Sequence, residues 1–414
     1  MIKLLCFLVA VTTAFSQTSD SWIAQGNALK ATGDAKGALS AFQQAAKLKP
    51  LSAQIQDEIG FLLAVEGNRS RAIAHFEQAI AADKNYAPAH FHLAVAAWLE
   101  QNPDRAIAAA QAAVKLDSRN AEYRLRLGSM LYDVGHNEEA LVELREAVKY
   151  GSNRADAWNQ IGLAEQKSNN RMVAKQALQK AVTLQPTSTE FRNSLGLFLV
   201  DNGWPEDGIV QFKTILRQDP KEISAQINLA YVELQRGDYP KAATEFERLR
   251  NLYPDQAVIR YDLGLALKQQ DRIEEAKKEF HEALRLNPDM AEVYYTLGIT
   301  CWQNGEFVET VDAMRNAIRL KPDYGDAYYM LGTALKQKGD AAEAIKALEE
   351  AIRLNPNTPG PYNTLAQIRQ SQSDLEGARK LFAQGAEVKK KLEMEQAKRL
   401  GTMGPATRAI PKLR

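Results

Sequence analysis

Apolar positions along this chain recur on a lattice of 34 residues that runs without insertion from Ser19 to Leu392, through eleven repeats. Counted from Ser19, the eighth position of every repeat is small: Gly26, Gly60, Ala94, Gly128, Gly162, Gly196, Ala230, Gly264, Gly298, Gly332 and Ala366. The twentieth is small in the same way, from Ala38 and Ala72 through Gly208 to Ala344 and Ala378, with Thr310 as its largest member. A large aliphatic residue precedes the eighth position, as at Leu93, Ile161 and Leu331. Four residues beyond the twentieth stand Phe42, Phe76, Phe212, Phe246, Phe280 and Phe382. Apolar spacings of three and four make a helix face, so each repeat predicts two helices. Small residues at two fixed points allow the two to cross closely, and Gly298 is read as lying where they approach most. Polar pairs such as Gly33-Asp34, Gly237-Asp238 and Gly339-Asp340 mark the turn between them. At position 32, Pro50, Pro186, Pro220, Pro254, Pro288, Pro322 and Pro356 stop the second helix before the next repeat begins. Each repeat is thus a helical hairpin, and no strand is predicted.

The stretch AEVYYTLGITCWQNGEFVETVDAMRNAIRLKPDY carries the pattern in full, with Tyr294, Leu297, Gly298, Cys301, Met314, Ala317 and Pro322 at its key positions. In this the sequence resembles the tetratricopeptide repeat family, over about nine-tenths of its length. The resemblance implies an all-α, right-handed superhelical solenoid of eleven hairpins. The first helix of each lines a concave groove that receives a protein or an extended peptide. Hairpins of this kind cannot bury their apolar faces singly, and stacking supplies the core. Ile215 and Leu249 depart from the family's small residue at position 27, with Gly208 as a partial offset in volume, and predict altered packing around repeats six and seven.

The ends read differently. Met1 to Lys3 is a basic start, Leu4 to Phe15 is apolar, and Ala14-Phe15-Ser16 supplies a small-x-small cleavage pattern. Residues 1–16 are therefore expected to be a signal peptide, and the mature chain an exported, periplasmic or secreted protein with no stable membrane span. Residues 19–392 form the repeat array. Residues 393–414 are expected to continue as a helical extension and then a basic, disordered tail holding Pro405 and Pro411. Once Cys6 leaves with the signal, Cys301 is the only cysteine, so no internal disulfide can form.

Composition narrows the chemistry. The 52 basic and 51 acidic side chains are balanced, whereas a protein neutralising many phosphates carries a basic excess, so no nucleic-acid partner is expected. His90 and His92 lie two apart, roughly 200° around a helix, where a metal pair needs a spacing of four. Cys301 falls on an inward position and reads as a buried structural thiol. The pairs Glu274-Glu275 and Glu349-Glu350 read as solvated surface on second helices. No phosphate-binding, zinc-protease or nucleophile-elbow motif occurs, so no catalytic residue, cofactor or metal is expected.

The groove remains. Position 13 reads Gln235, Gln269, Gln303 and Gln337 in repeats seven to ten, while position 5 reads Ile227, Tyr261, Tyr295 and Tyr329, with Trp302 at position 12. Amides repeated once per hairpin can bond an extended peptide's backbone, and tyrosines offer amphipathic contact area. The sequence thus predicts a non-catalytic, exported scaffold with its peptide groove in these repeats. Two other classes compete: a tether in an envelope or polysaccharide-secretion assembly, and a solenoid partner of a separate enzyme. The latter resembles the superhelix of O-GlcNAc transferase without its catalytic part, since only about 22 residues follow the last repeat.

Overall fold

The computed structural model describes residues 18–151 and 154–402. The expected signal segment at 1–16 and the tail beyond 402 lie outside the described residues. Within them the chain is all-α: twenty-two helices and no strand. They come as eleven antiparallel pairs in register with the sequence lattice, from Ser19–Ala31 with Ala35–Leu48 to Pro359–Ser371 with Leu375–Thr402. Each helix packs most extensively on its hairpin partner, except Tyr239–Leu252, which packs more on Ala257–Lys268 of the next repeat. No helix among the described residues is long and apolar enough to cross a membrane.

One backbone event closes every first helix. Position 15 is left-handed in all eleven repeats, at seven glycines (φ 78° to 89°) and at Gln101, Asn169, Asp271 and Ser373 (φ 58° to 66°). The residue after it often caps the second helix. Asp34 accepts from the Gly37 N–H at 2.9 Å, Asn102 from Arg105 at 3.2 Å, and Asp238 from Lys241 at 3.3 Å. Asp340, in an identical Gly-Asp turn, makes no such bond. An L-residue held left-handed costs about 1–2 kcal/mol, against about 0.5–1 kcal/mol for the extra freedom glycine has in the unfolded chain. Gln101→Gly should therefore stabilise its hairpin by about 0.5–1 kcal/mol, seen as a higher Tm. A fall in Tm would mean that the Gln101 side chain contributes more than its backbone strain costs.

In most repeats the two helices cross where a glycine at position 8 meets a large residue at position 24, although Ala230 with Phe246 and Ala366 with Phe382 fit an alanine against a ring. A Cβ built on Gly60 would stand 2.6 Å from the Phe76 ring, on Gly128 2.7 Å from Leu144, and on Gly162 2.5 Å from Leu178. Where position 8 is alanine in repeat three, position 24 shrinks too, and Ala94 and Ala110 are both buried. Gly298 is not the tightest approach: its neighbour is the mobile Cε of Met314 at 2.6 Å, whereas Gly196 meets the Phe212 ring at 2.4 Å.

The hairpins group into two compact units, residues up to Gln218 and residues from Asp219 onward. The division falls between Ile215 and Leu249, the two large residues at position 27, each fully buried in its own unit. In the first unit the largest core cluster runs from Ala38 to Ala177 through Phe42, Phe76, Leu131 and Leu144. The second holds one cluster around Phe246 and Phe280 and another around Met314 and Leu348.

Candidate binding face of the first helices

Successive first helices touch one another directly, as between repeats two and three, eight and nine within their units. Side-chain pairs cross that boundary in a fixed register, from position 5 of one repeat to position 6 of the next. Asp57 Oδ1 lies 2.8 Å from His92 Nδ1, and the Tyr261 and Thr296 hydroxyls are 3.2 Å apart. Leu125 and Gln160, and Ile227 and Asp262, occupy the same two positions at other junctions, and there the residue at position 5 is aliphatic and offers no polar atom. Gln160 Oε1 is buried with no hydrogen-bond partner, as is Asn159 Oδ1 beside it. The Asp262 carboxyl, 8% exposed, is pushed up to about 7 by burial.

The glutamines singled out from the sequence lie at the ends of these helices, all exposed. Gln235 and Gln303 are the last residues of Ile223–Gln235 and Ala291–Gln303, Gln269 follows Ala257–Lys268 directly, and Gln337 is the penultimate residue of Gly325–Lys338. The Gln235 amide is tied to the Tyr231 hydroxyl at 2.5 Å. The tyrosines are placed elsewhere. Eight residues separate positions 5 and 13, about 12 Å along a helix. Tyr261 is bonded to Thr296, Tyr295 packs against the Tyr324 ring at 4.8 Å, and Tyr329 lies against the start of Pro359–Ser371 at Gly360. Tyr261 and Tyr329 join neighbouring hairpins, Tyr295 packs on the residue that caps the next helix, and burial keeps the Tyr261 and Tyr295 hydroxyls above their ordinary range. Trp302 is half-buried with its ring 5.0 Å from Phe307. The structure therefore does not gather glutamines and tyrosines into one row.

It assembles instead a pocket that sequence reading missed. In repeats two to four, Phe61, Ala64, Val65, Phe91, Val95 and Leu99 line a cavity of about 370 Å³, with Phe76 and His92 at its floor and Arg69, Glu122 and Arg126 around it. The His92 ring stands 5.5 to 5.8 Å from Phe61, Phe76 and Phe91, and its Nδ1 is fixed by the buried Asp57. Phe61, Val65 and Leu99 are 37, 62 and 54% exposed, unusual for large apolar side chains that lie together. The available signal was position 13, where Val65 and Leu99 stand in place of the polar residues found in most other repeats.

The remaining chemistry is structural. The five histidines take separate partners: Gln56 for His75, the Lys84 carbonyl for His90, Asp57 for His92, Glu139 for His136 and Glu309 for His281. Cys301 is fully buried, and its sulfur lies with carboxylate oxygens of Glu306 and Glu309 inside a 4.8 Å cluster. Burial and then Glu309 push the thiol well above its usual range, so it stays protonated. The cation here is the Lys277 ammonium, 2.5 Å from Glu306 and 3.3 Å from Glu309; burial opposes its charge, and the two carboxylates more than offset that. Glu275 is exposed and Glu350 half-buried; they are bound by Arg272 at the N-cap of the helix and by Arg353 on the same helix.

Residues 137–260 match the family described as the cytochrome c-type biogenesis protein H TPR domain. Tetratricopeptide repeat families match residues 19–50 and 325–358, and residues 62–121 and 261–324. Among solved structures, a tetratricopeptide repeat protein from Parabacteroides merdae is similar at 14% identity, over 60% of this chain and 98% of its own, with a TM-score of 0.52. MamA is 24% identical over 40% of this chain and 96% of its own, TM-score 0.38. PilF of Pseudomonas aeruginosa is 22% identical over 49% and 92%, TM-score 0.43. No curated protein matches the chain in sequence.

Proposed function

We propose, from the premise that this chain belongs to the tetratricopeptide repeat family, that it is an exported, non-catalytic scaffold holding a partner polypeptide along its first-helix face. The observation that carries the reading is the repetition of exposed amides at one position, Gln235, Gln269, Gln303 and Gln337, in successive repeats. Equivalent groups at regular intervals suit an extended segment, whose backbone repeats as well. Export rests on the sequence of residues 1–16, with cleavage near Ser16 and a periplasmic or secreted product. A second reading, a tether within an envelope assembly, is favoured by the likeness of residues 137–260 to a cytochrome c biogenesis domain.

The test begins with capture of partners from an envelope fraction on the intact mature chain, followed by titration of an identified partner. Gln269→Ala, Gln303→Ala and Gln337→Ala together should leave the helical signal unchanged, because all three side chains face water. Affinity should weaken by about 0.5–1.5 kcal/mol per lost hydrogen bond, non-additively. Equal affinity of the triple variant would move the contact off this row. Trp302→Ala is a poorer probe, since the ring also packs on Phe307 and its loss would disturb the hairpin.

A further inference from the structure

We propose that the pocket of repeats two to four receives an apolar side chain of a partner polypeptide that carries an acidic residue next to it. This site lies in the other compact unit from the glutamine row and stands or falls separately from it. Three large apolar side chains, Phe61, Val65 and Leu99, remain exposed around one cavity, at the cost of the hydrophobic stabilisation that covering them would give. At about 370 Å³ the cavity accepts one or two side chains and not a folded surface. Its floor is rigid: Phe76 is fully buried, and Asp57 fixes the His92 ring among three phenylalanines. A fixed apolar socket favours a branched aliphatic or aromatic anchor.

Charge at the rim selects what flanks the anchor. Arg69 is exposed and has no ion-pair partner among the described residues. Arg126, 48% exposed, has only Glu122 at 3.8 Å, and that carboxylate is held more closely by Arg154 at 2.7 Å. Arg69 is unpaired and Arg126 only loosely held, so both guanidinium groups can take a carboxylate in paired hydrogen bonds, which a neutral peptide cannot offer. An acid beside the anchor satisfies both requirements, while a basic neighbour is repelled.

The experiment uses a phage library of random dodecapeptides selected on the intact mature chain, with the most enriched peptide then titrated by fluorescence anisotropy. Enriched peptides should place Leu, Ile, Met or Phe within two residues of Asp or Glu. Leu99→Asp should weaken binding about tenfold or more and Arg126→Glu severalfold, with a steeper loss in salt for wild type than for Arg126→Glu. Both positions are exposed, so these variants keep the fold, which circular dichroism checks. The Gln269, Gln303 and Gln337 triple variant should bind the same peptide undiminished. The proposal is overturned by no enrichment, by binding that ignores Leu99→Asp, or by enriched peptides without acids that bind Arg126→Glu as well as wild type. A concentration-dependent dimer in sedimentation, abolished by Leu99→Asp, would overturn it in favour of a second copy of this chain.

Discussion

Replacing Asp262 by asparagine is expected to stabilise the compact unit from Asp219 onward at pH 8 by about 2 kcal/mol, and to remove a rise in stability on acidification. Burial alone lifts this carboxyl from 3.8 to about 7. Between roughly pH 4 and pH 7 the folded chain keeps the proton that the unfolded chain has released. The folded state therefore binds more protons, and stability falls as pH rises, by about 1.4 kcal/mol per unit across that window. Above pH 7 the loss is complete, on the order of 4 kcal/mol, and below pH 4 it vanishes. Asparagine does not titrate, but its buried amide also lacks a partner and costs about 1–3 kcal/mol, which leaves the smaller net gain. Urea unfolding of both proteins at pH 5 and pH 8 decides it. Parallel pH dependence in the two would show that Asp262 is hydrated or paired in solution.

Gly196→Ala should destabilise repeat six by about 1–3 kcal/mol, and Gly298→Ala by clearly less. At Gly196 the added methyl meets the Phe212 ring at 2.4 and 2.8 Å, and Phe212 is fully buried. The same crossing is tight from the other side, since a Cβ on Gly208 would lie 2.7 Å from the Gly196 carbonyl oxygen. At Gly298 the obstacle is the end of a flexible methionine, which can rotate away. Combining Gly196→Ala with Phe212→Ala recreates the pairing of Ala94 with Ala110, so the double variant should lose less than the two single losses added. Hydrogen exchange should show the damage concentrated in repeat six and its neighbours, as nearest-neighbour coupling requires. Equal losses at Gly196 and Gly298, or strict additivity, would remove Phe212 as the cause.

The fold was legible because its determinants lie within one hairpin and repeat eleven times: the small eighth and twentieth positions, the aromatic that follows and the terminal proline. Close approach at Gly298 was misjudged for a related reason. The eighth position says that something is near, while the twenty-fourth, Met314 against Phe212, says how hard it is. The site was less legible because it depends on relations between hairpins. Asp262 looks like an ordinary surface acid until the fold buries it, and the tyrosines look available until Thr296, Tyr324 and Gly360 are found against them. Val65 and Leu99 differed visibly from the polar residues at their position in most other repeats. Their meaning required Phe61, from position 9, to converge on them.

The contact between positions 8 and 24 has a consequence for how such a chain can lengthen. Both residues travel in the same 34-residue cassette, so a duplicated hairpin arrives with its internal fit intact, whether the pair is Gly60 with Phe76 or Ala94 with Ala110. The pairs that cross from position 5 to position 6 do not travel together. A new junction can place side chains across a seam without the partners they had before. Duplication therefore copies the architecture at once and leaves the seams to be settled afterwards, one substitution at a time.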